Sequence, residues 1–174
     1  MRALIMTAAI LLAALAITSC APAFNWREAP IPATPLSALF PCKPERATRK
    51  VTLGGADADL HMQHCETAGI TAAVGHAAVR DPSLTGPMLL QWRLATLASM
   101  QVTRKSPWLW TMPGATPLPQ AQALEASGSD ARGQPLVLRA AWFAHGGEVY
   151  GALLYGPGLG PDVVDAFFSG LRLR

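Results

Sequence analysis

Two different periods of apolar and polar positions run along this chain, and the switches between them mark out its elements. An apolar run from Ala3 to Ile17 is broken only by Thr7. Thr48 to Leu53 and Ala58 to Cys65 read as strands flanking Gly54-Gly55, a pattern that predicts a hairpin with a tight turn. On the returning strand, Leu60 and Met62 are expected to face the core, and Asp59, His61 and Gln63 the solvent. Ile70 to Val79 reads as another strand, stopped by Asp81-Pro82. Gly86-Pro87 then opens a segment with Met88, Trp92, Ala95 and Ser99 on one stripe and Leu90, Leu94 and Leu97 on the next. That spacing predicts a helix with a wide buried face, running to about Gln101.

Strand signals return at Gln120 to Ser127, Leu136 to Ala144 and Glu148 to Tyr155, with turns at Asp130 to Gly133 and at Gly146-Gly147. Leu136, Leu138 and Trp142 share one parity, and Val137, Ala141 and Phe143 the other, so this part of the sheet is expected to be covered on both faces. A second, short helix follows Pro161, with Asp162 as its expected N-cap and Asp165 three residues on. Val163, Val164, Phe167, Phe168 and Leu171 form its apolar stripe. The sum is an α+β chain: a mainly antiparallel sheet, one long central helix and a short C-terminal helix.

The N-terminal run is fifteen residues long, shorter than the roughly 17 to 25 that a helix needs to cross a bilayer core, and Arg2 precedes it. An export signal fits better than an uncleaved anchor helix. Ile17-Thr18-Ser19-Cys20, at the end of the run, resembles the lipobox of bacterial lipoproteins. The resemblance implies cleavage between Ser19 and Cys20 and a diacylglycerol on the Cys20 sulfur. Ala21, rather than Asp, follows the cysteine, which by analogy with enteric lipoproteins implies sorting to the outer membrane. The expected organisation is a signal peptide over residues 1–19, a lipid-anchored Pro-rich tether over 20–35 and a single domain over 36–174. Phe24 and Trp26, two aromatics at strand spacing, are the exception that could dock part of the tether.

Composition narrows the picture further. The chain is 51% hydrophobic with a formal charge of +3. Without Arg2 it has 13 basic residues against 11 acidic, a balance that argues against nucleic acid as a partner. No cofactor is implied.

Export sets the reading of the cysteines. With Cys20 assigned to lipid, Cys42 and Cys65 remain in an oxidising compartment, where thiols pair. A two-residue turn at Gly54-Gly55 places Pro44 opposite Cys65 and Cys42 just beyond it, so a disulfide is expected. A competing metal site would use His61, Met62, His64 and Cys65. Strand parity opposes it, because His61 and Cys65 project to one side and Met62 and His64 to the other.

Ser106 to Pro119 carries four prolines, which exclude a central strand and leave an edge strand or a surface excursion. Within it, Trp108, Trp110 and Met112 are candidates for a partner or ligand surface; the plainer alternative has the tryptophans capping the core. Trp92, among leucines at helical spacing, is expected in the core.

Leu39-Phe40-Pro41, the helix after Asp81-Pro82, Gly147-Glu148-Val149-Tyr150 and Phe167-Phe168-Ser169-Gly170-Leu171 together resemble the PsbP-like fold of small exported proteins. That resemblance implies an accessory or binding subunit and carries over no catalytic residues. The expected function is a non-enzymatic, lipid-anchored envelope protein that binds a partner. One alternative is a small lipophilic ligand or metal bound between sheet and helix, lined by Trp108, Trp110 and Met112. Another is a hydrolase using His76, Asp81 or His145, although the sequence has neither a G-x-S-x-G turn nor an H-E-x-x-H helix.

Overall fold

A computed structural model describes residues 23–174; the expected signal peptide and Cys20 lie outside them. Seven strands form one antiparallel sheet: β3 (Glu45–Leu53), β4 (Ala56–Thr67), β5 (Ile70–Ala78), β6 (Arg104–Pro107), β7 (Gln122–Ser129), β8 (Pro135–His145) and β9 (Glu148–Gly156), in the spatial order β3-β4-β5-β9-β8-β7-β6. A second, three-stranded sheet has β2 (Leu36–Phe40) between β1 (Arg27–Pro30) and β10 (Arg172–Leu173). Two α-helices complete the described chain, α1 (Thr85–Ser99) and α2 (Pro161–Ser169). The architecture is α+β, dominated by strands. At 15 residues α1 is about 22 Å long and ends two residues before the expected limit at Gln101.

The central strands of the large sheet, β5, β9 and β8, are covered on both faces. Helix α1 covers one with Met88, Leu89, Trp92 and Leu97, over Leu60, Leu138, Trp142 and Val149. The small sheet and α2 cover the other, where Phe40, Phe167 and Phe168 meet Val74, Phe143, Tyr150 and Leu154. Both parities of β8 are therefore core, as its pattern requires.

The β3–β4 hairpin turns at Gly54 and Gly55, both at positive φ (61° and 83°), where glycine alone has no steric penalty. Its register pairs Leu53 with Ala56 and Glu45 with His64, which places Pro44 opposite Cys65. The Cys42–Cys65 disulfide is formed, with Cα atoms 5.9 Å apart.

Four expectations need correction. Residues 24–35 are not a free tether. Asn25 N donates to the Pro41 carbonyl, β1 pairs with β2, and Ile31 is buried, because Phe24, Trp26 and Ile31 find apolar partners on the domain. Gln63 does not face solvent; it is 3% exposed, and its Nε2 donates to the Pro30 carbonyl at 2.9 Å. The small sheet covers that face of β4, and a side-chain amide there must find a partner.

On α1, Leu90 and Leu94 are 39% and 52% exposed, and Ala95 and Ser99 are also exposed. The buried arc is centred on Trp92 and Thr96, and Leu94 stands about 200° around the helix from Trp92. Finally, α2 is preceded by Gly160 as N-cap with Pro161 in its first turn, and Asp162 lies inside the helix rather than capping it.

Candidate functional site

Beyond β6 the chain leaves the sheet edge through a local reversal. Trp108 N donates to the Ala123 carbonyl at 3.0 Å, continuing the β6–β7 pairing by one bond. Trp110 N then donates back to the Trp108 carbonyl at 2.9 Å. This three-residue turn sends both indoles inward and Leu109 outward. The Trp108 and Trp110 rings stack at 6.1 Å and meet Phe168 of α2 edge-on, at 4.7 and 5.5 Å. Arg139 lies 5.4 Å above the Trp108 ring, and its Nη2 is 2.6 Å from the Glu125 carboxylate. That carboxylate also accepts from the Ser106 hydroxyl. The tryptophans thus cap the core and are held in place. Leu109 between them is fully exposed.

Leu109 forms one wall of an open groove of about 690 Å³; Leu94 and Leu97 of α1 form another, and Ala123 and Leu124 lie along it. Two cations border it. Lys105 is exposed, and Arg93 is half-buried, its Nη1 donating to the Gln120 carbonyl and its pKa lowered by that burial. Met112 does not join this groove. It is buried in the core and lines a neighbouring hollow of about 550 Å³ that shares Trp110. Of the three residues singled out in the sequence, Trp108 and Trp110 thus line the groove and Met112 does not, and Leu109 and Leu94 are its exposed leucines.

A second cluster crosses the same face as α2. Thr48, His61, His76, Tyr150 and Phe143 are successive cross-strand partners on β3, β4, β5, β9 and β8. Their rings follow one another at 5.1, 6.2 and 5.0 Å from His61 to Phe143. Thr48 Oγ1 bonds His61 Nδ1 at 3.0 Å, and Glu148 Oε2 bonds the buried His76 at 2.9 Å. A cavity of about 220 Å³ lies beside the two histidines, under Ile31, Pro32 and Ala33. Tyr150 is fully buried, and its phenol oxygen has no hydrogen-bond partner among the described residues. Burial raises its pKa, and the Glu148 carboxylate adds to the rise.

The groups weighed for hydrolysis are engaged separately: His76 with Glu148, His145 Nδ1 with the Gly114 carbonyl, and Asp81 with the backbone and hydroxyl of Ser83, which lower its pKa. Of the residues weighed for a metal, Cys65 is consumed by the disulfide and His61 and His64 lie on opposite faces of β4.

The aromatic row and the role of Leu109 were not read from the sequence. The row joins residues up to 102 positions apart, from Thr48 to Tyr150; for Leu109, the available signal was an apolar residue between two tryptophans. No protein-family model matches the chain, and no curated protein matches it.

Proposed function

We propose that this protein is a lipid-anchored accessory protein of a bacterial envelope, held through Cys20 at the outer membrane and facing the periplasm, that binds a protein partner rather than turning over a substrate. The PsbP-like architecture belongs to the same reading. The disulfide supports an oxidising compartment. The observation that carries the binding role is Leu109: fully exposed, it is presented by a turn whose neighbouring tryptophans are fixed in the core, beside Leu94 on the same groove. Two exposed leucines held on one groove by a braced support are what favours a binding role. Arg93 and Lys105 make a segment with apolar side chains and a carboxylate the matching partner.

A photoreactive amino acid at position 109 tests this in cells. A discrete protein adduct that disappears with Leu94→Asp is expected. Recovery of lipid adducts alone, or of none above the level of a probe at Ala78, would remove the partner reading. A second reading, a small ligand, rests on the cavity beside His61 and His76 and predicts a retained mass in native mass spectrometry.

A further inference from the structure

We infer that the end of the sheet formed by the β4–β5 turn and the Pro157–Gly160 loop rests directly on the phospholipid surface, with the domain seated on the membrane rather than suspended from it. This rests on the anchor reading of Cys20. If that cysteine carries the lipid, covalent reach decides the rest. Only Ala21 and Pro22 separate it from Ala23, and the three steps from Cα to Cα span at most about 11 Å whatever the conformation. Ala23 is already fastened, its carbonyl accepting from the Thr67 hydroxyl at 3.0 Å, and from Asn25 onward the chain is bonded to the domain. No slack is left to lift this end away from the headgroups.

The chemistry of that end suits the position. Thr67–Ile70 and Gly156–Pro161 contain no charged residue. The exposed Ala68–Gly69 turn lies against Pro157, with 4.0 Å between a Cβ built on Gly69 and the proline Cγ. Such a surface approaches a bilayer without stripping water from ions, the step that makes burial of charge expensive. Phe24 and Trp26, 5.9 Å apart and both partly exposed, stand beside the anchor as aromatics of the kind that settle at headgroup level. The exposed Glu66 and Asp162 directly flank the two uncharged segments, which fits contact with the surface rather than insertion below it.

The test uses the full acylated chain in vesicles of phosphatidylethanolamine and phosphatidylglycerol, with Cys42 and Cys65 left in their disulfide. A nitroxide is placed on Gly158→Cys, where a side chain meets nothing within 4 Å, and separately on Ala78→Cys at the other end of β5. On vesicle binding, the Gly158→Cys label should lose collisions with a water-soluble nickel chelate several-fold, while the Ala78→Cys label is unchanged. Equal aqueous accessibility at both positions, in protein whose Cys20 still incorporates a fatty-acid probe, overturns the seating and leaves the anchor standing. Failure of Cys20 to incorporate the probe overturns both.

Discussion

The Trp92 ring lies directly over Gly151: a Cβ built on that glycine falls 2.9 Å from the indole Cζ2. Gly75, the cross-strand partner of Gly151, completes the floor, with its own built Cβ 3.1 Å from the same ring. Two glycines side by side on β5 and β9 let α1 press its largest side chain onto the sheet.

Gly151→Ala should therefore overpack this contact and destabilise the domain by about 1–3 kcal/mol, read from urea unfolding. Combining it with Trp92→Leu should recover part of that loss, giving a coupling of about 0.5 kcal/mol or more in a double-mutant cycle. Simple additivity would show that the strain lies elsewhere.

Replacing both Cys42 and Cys65 by alanine opens a loop with a sequence separation of 23. Chain entropy assigns the closure of such a loop about 3 kcal/mol, so the denaturation midpoint should fall by the corresponding amount. An unchanged midpoint would mean that residual structure in the unfolded chain already holds the two segments together.

Tyr150 makes stability depend on pH at the alkaline end. Its folded-state pKa is raised above 10.0, so the native protein keeps a proton that the unfolded chain releases. The contribution is whole below pH about 10 and is lost as pH rises from there through the folded-state pKa. Tyr150→Phe should flatten this decline in urea midpoints measured across the alkaline range. At neutral pH it should change stability by no more than about 1 kcal/mol, because the hydroxyl it removes has no partner.

Leu109→Asp and Leu94→Asp touch only exposed positions and should alter stability by about 0.5 kcal/mol or less. Under the proposed binding role, either should abolish the capture of a protein partner in pull-downs from envelope extracts. Loss of folding by circular dichroism would instead identify them as structural.

The parts of the fold legible in the sequence are those fixed by neighbours along the chain. Gly54-Gly55 determined the register that joins Cys42 to Cys65, and the double parity of β8 announced a sheet covered on both sides. What stayed hidden depends on distant partners. Nothing near Gln63 signals that the Pro30 carbonyl will lie above it. The spacing of Leu90 and Leu94 shows an apolar stripe but not its bounds, which are set by where Trp92 settles on two glycines far along the chain. At the candidate site, the Trp108–Trp110 pair was visible, but the turn that packs both rings against the core and presents Leu109 follows from one backbone bond between residues two apart.

The small sheet has a temporal consequence. Its middle strand, β2, is flanked by β1 from the beginning of the described chain and by β10 from its last residues, with Arg174 bonded to both Glu28 and the Pro35 carbonyl. A polypeptide emerging amino end first from a ribosome carries an unclosed β2 edge until Arg172 and Leu173 have followed it. The lid over the aromatic core can shut only once β10 has joined β2, so closing it couples the two ends of the described chain.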